Sequence, residues 1–171
     1  MTYKEIGGFF IGFTDIRISD VATVFPQFFD GMHLLITCLD SSRRVSGLTK
    51  WMDMMKEKKI VFQPLGDAVW IPSDSTANLL RAGKTFYHFD EVYLFNADSQ
   101  PPVPEEIGGG VFCTDCHNFE ENIPEEFISR FLDIKATRFL ADGCGMNFAC
   151  ESNEILERLG LIQRCDIVLR G

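Results

Sequence analysis

The chain has 171 residues, of which 46% are hydrophobic, and it carries 25 acidic against 16 basic residues for a formal net charge of −9. A chain of this length and apolar content fits one packed domain and is not an intrinsically disordered protein. Its acidic balance excludes direct nucleic-acid binding as a leading function, because phosphate contacts require Lys and Arg side chains.

The N-terminal third predicts two buried strands on either side of a broken helix. Residues 7–14 (GGFFIGFT) and 32–40 (MHLLITCLD) are short apolar runs bounded by turn residues, which is typical of buried strands. Between them, apolar residues recur at helical spacing over 21–28, but Pro26 interrupts the pattern. Because proline lacks an amide hydrogen and its ring clashes with the preceding turn, we expect a short helix that breaks there.

The middle of the chain alternates helices and strands. Residues 42–58 carry an apolar stripe at helical spacing with lysines in the last turn, which predicts a helix, and residues 73–83 predict a shorter helix that ends at a glycine. Residues 59–65 (KIVFQPL), 67–72 (DAVWIP) and 88–98 (HFDEVYLFNAD) are short segments rich in apolar residues, and they predict three strands.

The second half begins with a segment that cannot be regular structure. Residues 98–110 contain three prolines and three consecutive glycines, which indicates a linker. Residues 122–136 predict a helix with acids in its first turn, and residues 137–150 predict a hairpin through two glycines. Residues 152–160 predict a capped helix ending at Gly160, and residues 161–170 (LIQRCDIVLR) predict a last strand.

These elements predict a single domain over residues 1–171, of the α/β or α+β class, in which a mixed β-sheet is flanked by about four helices. Strands alternate with helices along the chain, as in sheets with helical crossovers. Several connections are nevertheless of hairpin length, and for that reason we expect a mixed sheet rather than an all-parallel one.

The start of the chain predicts a cytoplasmic protein without a membrane span. Residues 1–15 contain a single lysine, and three glycines break their apolar run, so they do not resemble a secretory signal. No stretch approaches the roughly 18 consecutive apolar residues of a transmembrane helix. In the cytoplasm we expect the six cysteines to stay reduced.

A cluster of potential metal ligands lies at residues 113–117 (CTDCH). Zinc usually requires a second pair of ligands some 12 to 20 residues away, at a spacing of two to four residues. The next cysteines, Cys144 and Cys150, lie further away, with five residues between them. The expectation is therefore that no cofactor is bound, with zinc as the alternative. The candidate ligands for that alternative are Cys113, Cys116, His117 and Cys144, with Cys150 as a substitute.

Two other chemistries fit the same five residues less well. The C-x-x-C-H pattern is that of covalent haem attachment, which normally takes place outside the cytoplasm. A redox pair needs a positive environment that lowers the thiol pKa, whereas Asp115, Glu120 and Glu121 surround this one. Ordinary structural cysteines remain the simplest interpretation.

The distribution of charge is the most informative feature of the sequence. Residues 85–129, called the acidic segment below, contain ten acids and no Lys or Arg. An acidic surface with interspersed aromatic side chains and a proline-rich loop is suited to a basic protein partner. The residues predicted to contact that partner are Asp90, Glu91, Glu105, Glu106, Asp115, Glu120, Glu121, Tyr87 and Phe119.

The leading functional hypothesis is therefore a small cytoplasmic binding protein with a basic partner, most specifically an immunity protein or antitoxin that neutralises a bacterial toxin enzyme. No catalytic residues are predicted. A zinc-binding module or metal-dependent enzyme built on the cysteine cluster is the alternative, and a third hypothesis is an enzyme that uses carboxylates or His88. The acids could also serve solubility alone.

Overall fold

The sheet dominates the structure. The computed structural model describes residues 1–37, 52–66, 68–81, 91–102, 125–142 and 146–170. Its strands are β1 (Thr2–Ile6), β2 (Phe9–Thr14), β3 (His33–Thr37), β4 (Gln63–Leu65), β5 (Ala68–Ile71), β6 (Glu91–Phe95), β7 (Arg138–Asp142) and β8 (Met146–Cys150). They form one eight-stranded sheet in the order β1-β2-β8-β7-β6-β3-β5-β4.

The helical segments pack against this sheet. They are α1 (Ile18–Val24), a 3-10 turn (Pro26–Phe28), α2 (residues 52–57), α3 (Ser73–Arg81), α4 (Glu125–Asp133) and α5 (Asn153–Arg170). Within the described ranges, no helix combines the length and apolar character needed to cross a membrane.

The structure confirms the α+β class but not the mixed sheet. Every neighbouring pair of described strands is antiparallel. Whether a strand runs parallel or antiparallel to its neighbours depends on which strands it pairs with in the sheet. The sheet order places β3 between β5 and β6 and β2 beside β8, and local sequence patterns carry no information about such long-range choices.

The predicted break at Pro26 is confirmed. Helix α1 ends at Val24, and Phe25 leaves the helical region with φ −133° and ψ 58° before the 3-10 turn begins at Pro26. At the N-terminus the strand predicted at residues 7–14 is observed as β2, and β1 precedes it and pairs with it as a hairpin. Gly7 and Gly8 connect them with φ values of 59° and 83°, a conformation that glycine adopts without strain.

The prediction of a last strand at residues 161–170 is wrong, because α5 continues through Gly160 to Arg170. A glycine inside a helix costs about 1 kcal/mol relative to alanine, so it disfavours a helix without stopping it. Before this glycine, Ile155, Leu156 and Leu159 of α5 are buried in the core.

The alternation of side chains along the strands divides the core into two layers. On one face of the sheet, Leu34, Leu94 and Phe148 pack with the apolar residues of α1, α3 and α5. On the other face, Tyr93 and Phe139 lie in a second cluster that includes residues from α4 and the turn that follows it. Both faces of the sheet are therefore covered, and the second face contains the polar residues considered next.

Candidate functional site

Two polar side chains are buried on the second face of the sheet, near one of its ends. Glu91 lies directly opposite Ala141 of β7, and Ala141 lies directly opposite Asn147 of β8. Residues directly opposite in an antiparallel sheet project from the same face, so all three side chains point the same way. We call Glu91, Ala141 and Asn147 the buried polar row.

Local sequence accounts for this placement. Strand β6 (EVYLF) is buried on both faces, and its alternation puts Glu91 on the face of Tyr93 and Phe95. Strand β8 (MNFAC) is also fully buried, and the same alternation puts Asn147 beside Ala149. Neither polar residue can turn to solvent without its strand reversing its faces.

Glu91 accepts a hydrogen bond from Tyr93, which projects from the same face two residues further along β6. Its side chain is 0% exposed, and the hydroxyl of Tyr93 donates to Glu91 Oε2 at 3.3 Å. The Tyr93 ring packs against Phe139 with 4.6 Å between ring centroids. A buried phenol and a buried carboxylate are thus joined inside an aromatic cluster, where the low polarity strengthens the electrostatic interactions of both groups.

Asn147 is less well satisfied than Glu91. Its side chain is 8% exposed, and within the described part of the chain its Oδ1 atom is enclosed and accepts no hydrogen bond. Leaving a buried acceptor without a donor costs about 1–3 kcal/mol, and native proteins rarely tolerate this without a reason. The row therefore presents a carboxylate and an amide oxygen on either side of Ala141, which contributes only a methyl group.

The arrangement is suited to binding a hydrogen-bond donor. Carboxylate and amide oxygens are both acceptors, and an ionised carboxylate prefers a positively charged donor.

Most of the predicted partner contacts lie outside the described residues. These are Asp90, Glu105, Glu106, Asp115, Glu120, Glu121, Tyr87 and Phe119. Glu91 is described, and here the structure differs from the prediction of a surface contact. It begins a central strand and is completely buried, so it does not contribute to the surface of the described fold.

The predicted metal ligands Cys113, Cys116, His117 and Cys144 also lie outside the described residues, so the zinc alternative stays a prediction. Among the described residues, no group of three or more His, Cys, Asp or Glu side chains is placed to hold a metal ion.

The substitute ligand, Cys150, is a core residue. It is 0% exposed, and burial, followed by a smaller contribution from the Glu151 charge, raises the pKa of its thiol to about 12. The neutral thiol is a poor nucleophile and a poor metal ligand. The role of Cys150 in the described structure is therefore packing.

His33 connects three parts of the fold. Its Nδ1 accepts a hydrogen bond from the backbone N–H of Ser73 at 2.8 Å, and its Nε2 lies 2.9 Å from the carbonyl oxygen of Ala97. Because Nδ1 is an acceptor, Nε2 carries the hydrogen and donates it to Ala97. The ring also packs on Trp70 at 5.0 Å. Both nitrogens are occupied by structural contacts, which leaves neither available as a catalytic base.

Sequence reasoning did not identify Asn147, and it placed Glu91 on the surface. The only local signal for either is a polar residue inside or beside an apolar run, in MNFAC and in EVYLF. That signal has little value without the strand register. Only the register places the two residues on one face of the sheet, with one strand, β7, between them.

The fold and the buried polar row define an α+β protein with a single antiparallel sheet that is covered on both faces. Comparison with known protein families, curated proteins and solved structures finds no match to this chain.

Proposed function

We propose that this protein is a small acidic binding domain whose partner is a basic protein, and that the acidic segment, residues 85–129, forms the contact surface, apart from its buried strand β6. The narrower form of the proposal is an immunity protein or antitoxin that neutralises a toxin enzyme by covering its basic face. One observation carries the proposal: this segment contains ten acids and no Lys or Arg, and the nine acids other than the buried Glu91 equal the net charge of −9.

The ion pairs of the described residues support this interpretation. Lys56, Arg138 and Arg158 pair with Asp53, Glu151 and Glu154, respectively. All three acids lie outside the acidic segment, so these basic side chains do not neutralise it. A field of one sign accelerates encounter with a partner of opposite charge, and aromatic side chains such as Tyr87 and Phe119 supply affinity after contact.

The experiment is a co-purification from native cells, followed by association kinetics with the captured protein. The test variant changes Glu105, Glu106, Glu120 and Glu121 to Lys, which alters the local charge by eight units. We expect association to slow at least tenfold and to resemble the effect of raising the salt concentration above about 0.1 M, where the Debye length is roughly 10 Å.

A matched control makes the same change of eight charges elsewhere. Glu5, Glu57, Glu154 and Glu157 are all exposed and lie outside the acidic segment, and their joint change to Lys tests the effect of net charge alone. The proposal requires a much smaller effect from this control. Equal partner association for the two variants would mean that the acids serve solubility only.

A further inference from the structure

The two edges of the eight-stranded sheet are unequal. At one edge, β4 has three residues and includes Pro64, which has no N–H to offer a further strand. At the other edge, β1 (TYKEI) has five residues and no proline, and residues 2–5 are exposed. An edge strand of this kind presents unpaired N–H and C=O groups, which form a template for pairing with another strand.

Strand β1 is held closely against β2 on its inner side. Tyr3 lies directly opposite Gly12, and a Cβ atom at position 12 would lie 2.8 Å from Cα of Tyr3. The Tyr3 ring also meets Phe10 edge to face, with 5.9 Å between ring centroids, yet Tyr3 stays 47% exposed. The edge therefore combines a strand that is fixed to the sheet with an accessible aromatic side chain.

We infer that β1 pairs with β1 of a second copy of this chain. The two strands run antiparallel around a two-fold axis between the two Tyr3 residues, so that two eight-stranded sheets become continuous. Two-fold dimers are the commonest homo-oligomers, and their symmetry lets the same strand serve on both sides of the interface. This inference goes beyond the proposed function and does not depend on it.

Symmetry and charge select the register. Rotation about an axis perpendicular to the sheet keeps each side chain on its own face, so a residue lies opposite itself or a residue an even number of positions away. A centre at Lys4 or Glu5 places two like charges directly opposite each other, which is destabilising. A centre at either end of β1 pairs far fewer of its residues. The centre at Tyr3 instead places Lys4 opposite Thr2 and Glu5 opposite Met1, and it brings the two exposed aromatic rings together.

The size and the charge of this interface predict a weak dimer. A ladder of five residues buries less than the roughly 1,200 Å² of a standard stable interface, and two chains of net charge −9 repel each other. Salt screens this repulsion, so the dimer should become tighter as the ionic strength rises. Association with a basic partner should weaken under the same change, which separates the two interactions.

The first test measures the mass of the intact chain by sedimentation equilibrium from about 1 μM to 1 mM. We expect a monomer–dimer equilibrium with a Kd on the order of 100 μM that decreases at high salt. Tyr3→Lys places two like charges on the axis and should raise this Kd at least about tenfold, although it makes each chain less negative. The matched control is Val61→Lys, which makes the same change of charge at a residue that is 62% exposed and outside β1. A monomer throughout the range, or equal dimerisation of the two variants, would overturn the proposal.

The second test locates the axis by disulfide formation under mild oxidation. In the register centred on Tyr3, the two residues at position 3 lie about 4.5–5.5 Å apart between Cα atoms, within the range that a disulfide spans. The two residues at position 2 are about 8 Å apart, beyond that range. Tyr3→Cys should therefore form a covalent dimer. Thr2→Cys and the exposed control Val61→Cys should form no more of it than the unchanged protein with its native cysteines.

The remaining outcomes each contradict part of the inference. More covalent dimer from Thr2→Cys than from Tyr3→Cys would overturn the register. No excess of Tyr3→Cys over Val61→Cys would overturn the pairing of β1 with itself. Capture of an extended segment of another protein by β1, while the purified chain stays monomeric, would assign the edge to that protein instead of a second copy. Failure to find a basic partner would refute the proposed function alone, because both tests use only the purified chain.

Discussion

Arg138 and Glu151 form a bidentate ion pair that joins the start of β7 to the residue after β8. Arg138 Nε lies 3.0 Å from each carboxylate oxygen of Glu151, and Nη2 lies 2.7 Å from Oε1. The guanidinium also donates to the carbonyl oxygen of Phe28 and lies over the Phe28 ring at 5.3 Å. One side chain thus connects two strands to the turn that follows α1.

Replacing this arginine should be costly. Arg138 is only 15% exposed and Glu151 31%, so Arg138→Met would leave a partly buried carboxylate and the Phe28 carbonyl without their donor. We expect a loss of about 2 kcal/mol in the free energy of unfolding, measured by urea denaturation. The control is Arg158→Met, which breaks an exposed i,i+4 pair with Glu154 and should cost less than about 0.5 kcal/mol. Equal losses would show that the Arg138 pair is no more than a surface contact.

His33→Phe tests the structural role of the histidine. Phenylalanine can still pack on Trp70, but it cannot bond to Ser73 N–H or to the Ala97 carbonyl. We expect the variant to lose about 1–2 kcal/mol of stability, because two backbone groups lose their partner. In the unchanged protein, nitrogen NMR of the ring should show hydrogen on Nε2 and none on Nδ1. The opposite tautomer would contradict the hydrogen bonds described here.

Gly12→Ala should detach β1 from the sheet. A Cβ atom at position 12 would lie 2.1 Å from the carbonyl oxygen of Thr2 and 2.7 Å from Cβ of Tyr3, which no small adjustment relieves. We expect a loss of at least about 2 kcal/mol, with faster amide hydrogen exchange in β1. Gly8→Asn is the control, since an added Cβ there meets nothing within 4 Å and asparagine tolerates positive φ. Unchanged exchange in β1 of Gly12→Ala would be inconsistent with this packing.

Cys150 should be unreactive in the folded protein. Because burial raises the pKa of its thiol from 9.0 to about 12, iodoacetamide at pH 8 should label it far more slowly than in urea, as followed by peptide mass spectrometry. The folded state holds this proton more tightly than the unfolded state. The stability that the raised pKa contributes is therefore complete below about pH 9 and is lost as the pH rises toward 12. The free energy of unfolding of Cys150→Ala should therefore decrease less steeply with pH over that range than that of the unchanged protein. An equal pH dependence for the two proteins would refute the link between the Cys150 pKa and stability.

The metal content of the purified protein tests the cysteine cluster. We expect less than one equivalent of zinc, because the second pair of candidate ligands has the wrong spacing and Cys150 is a buried neutral thiol. Cys113→Ser with Cys116→Ser should then leave folding intact. One equivalent of zinc, lost together with folding in that double variant, would establish the metal-binding alternative instead.

Several elements were predictable because their signals are local. The apolar run of β2, the break at Pro26 and the β7–β8 hairpin all follow from a few neighbouring residues. Periodicity and the special geometry of proline and glycine act over one or two turns of chain, so they can be read without knowing the fold. The excess of negative charge in residues 85–129 is equally visible, since it is a property of composition alone.

Other features depend on contacts between distant parts of the chain. The strand order and antiparallel directions, the helical state of residues 161–170 and the burial of Glu91 all have weak or misleading local signals. The strand order and the burial of Glu91 depend on which segments pair in the sheet, and local sequence does not specify this pairing. The placement of Glu91 and Asn147 on one face of the sheet shows this most clearly. They are more than fifty positions apart in sequence, and only the register of β6, β7 and β8 brings them onto the same face.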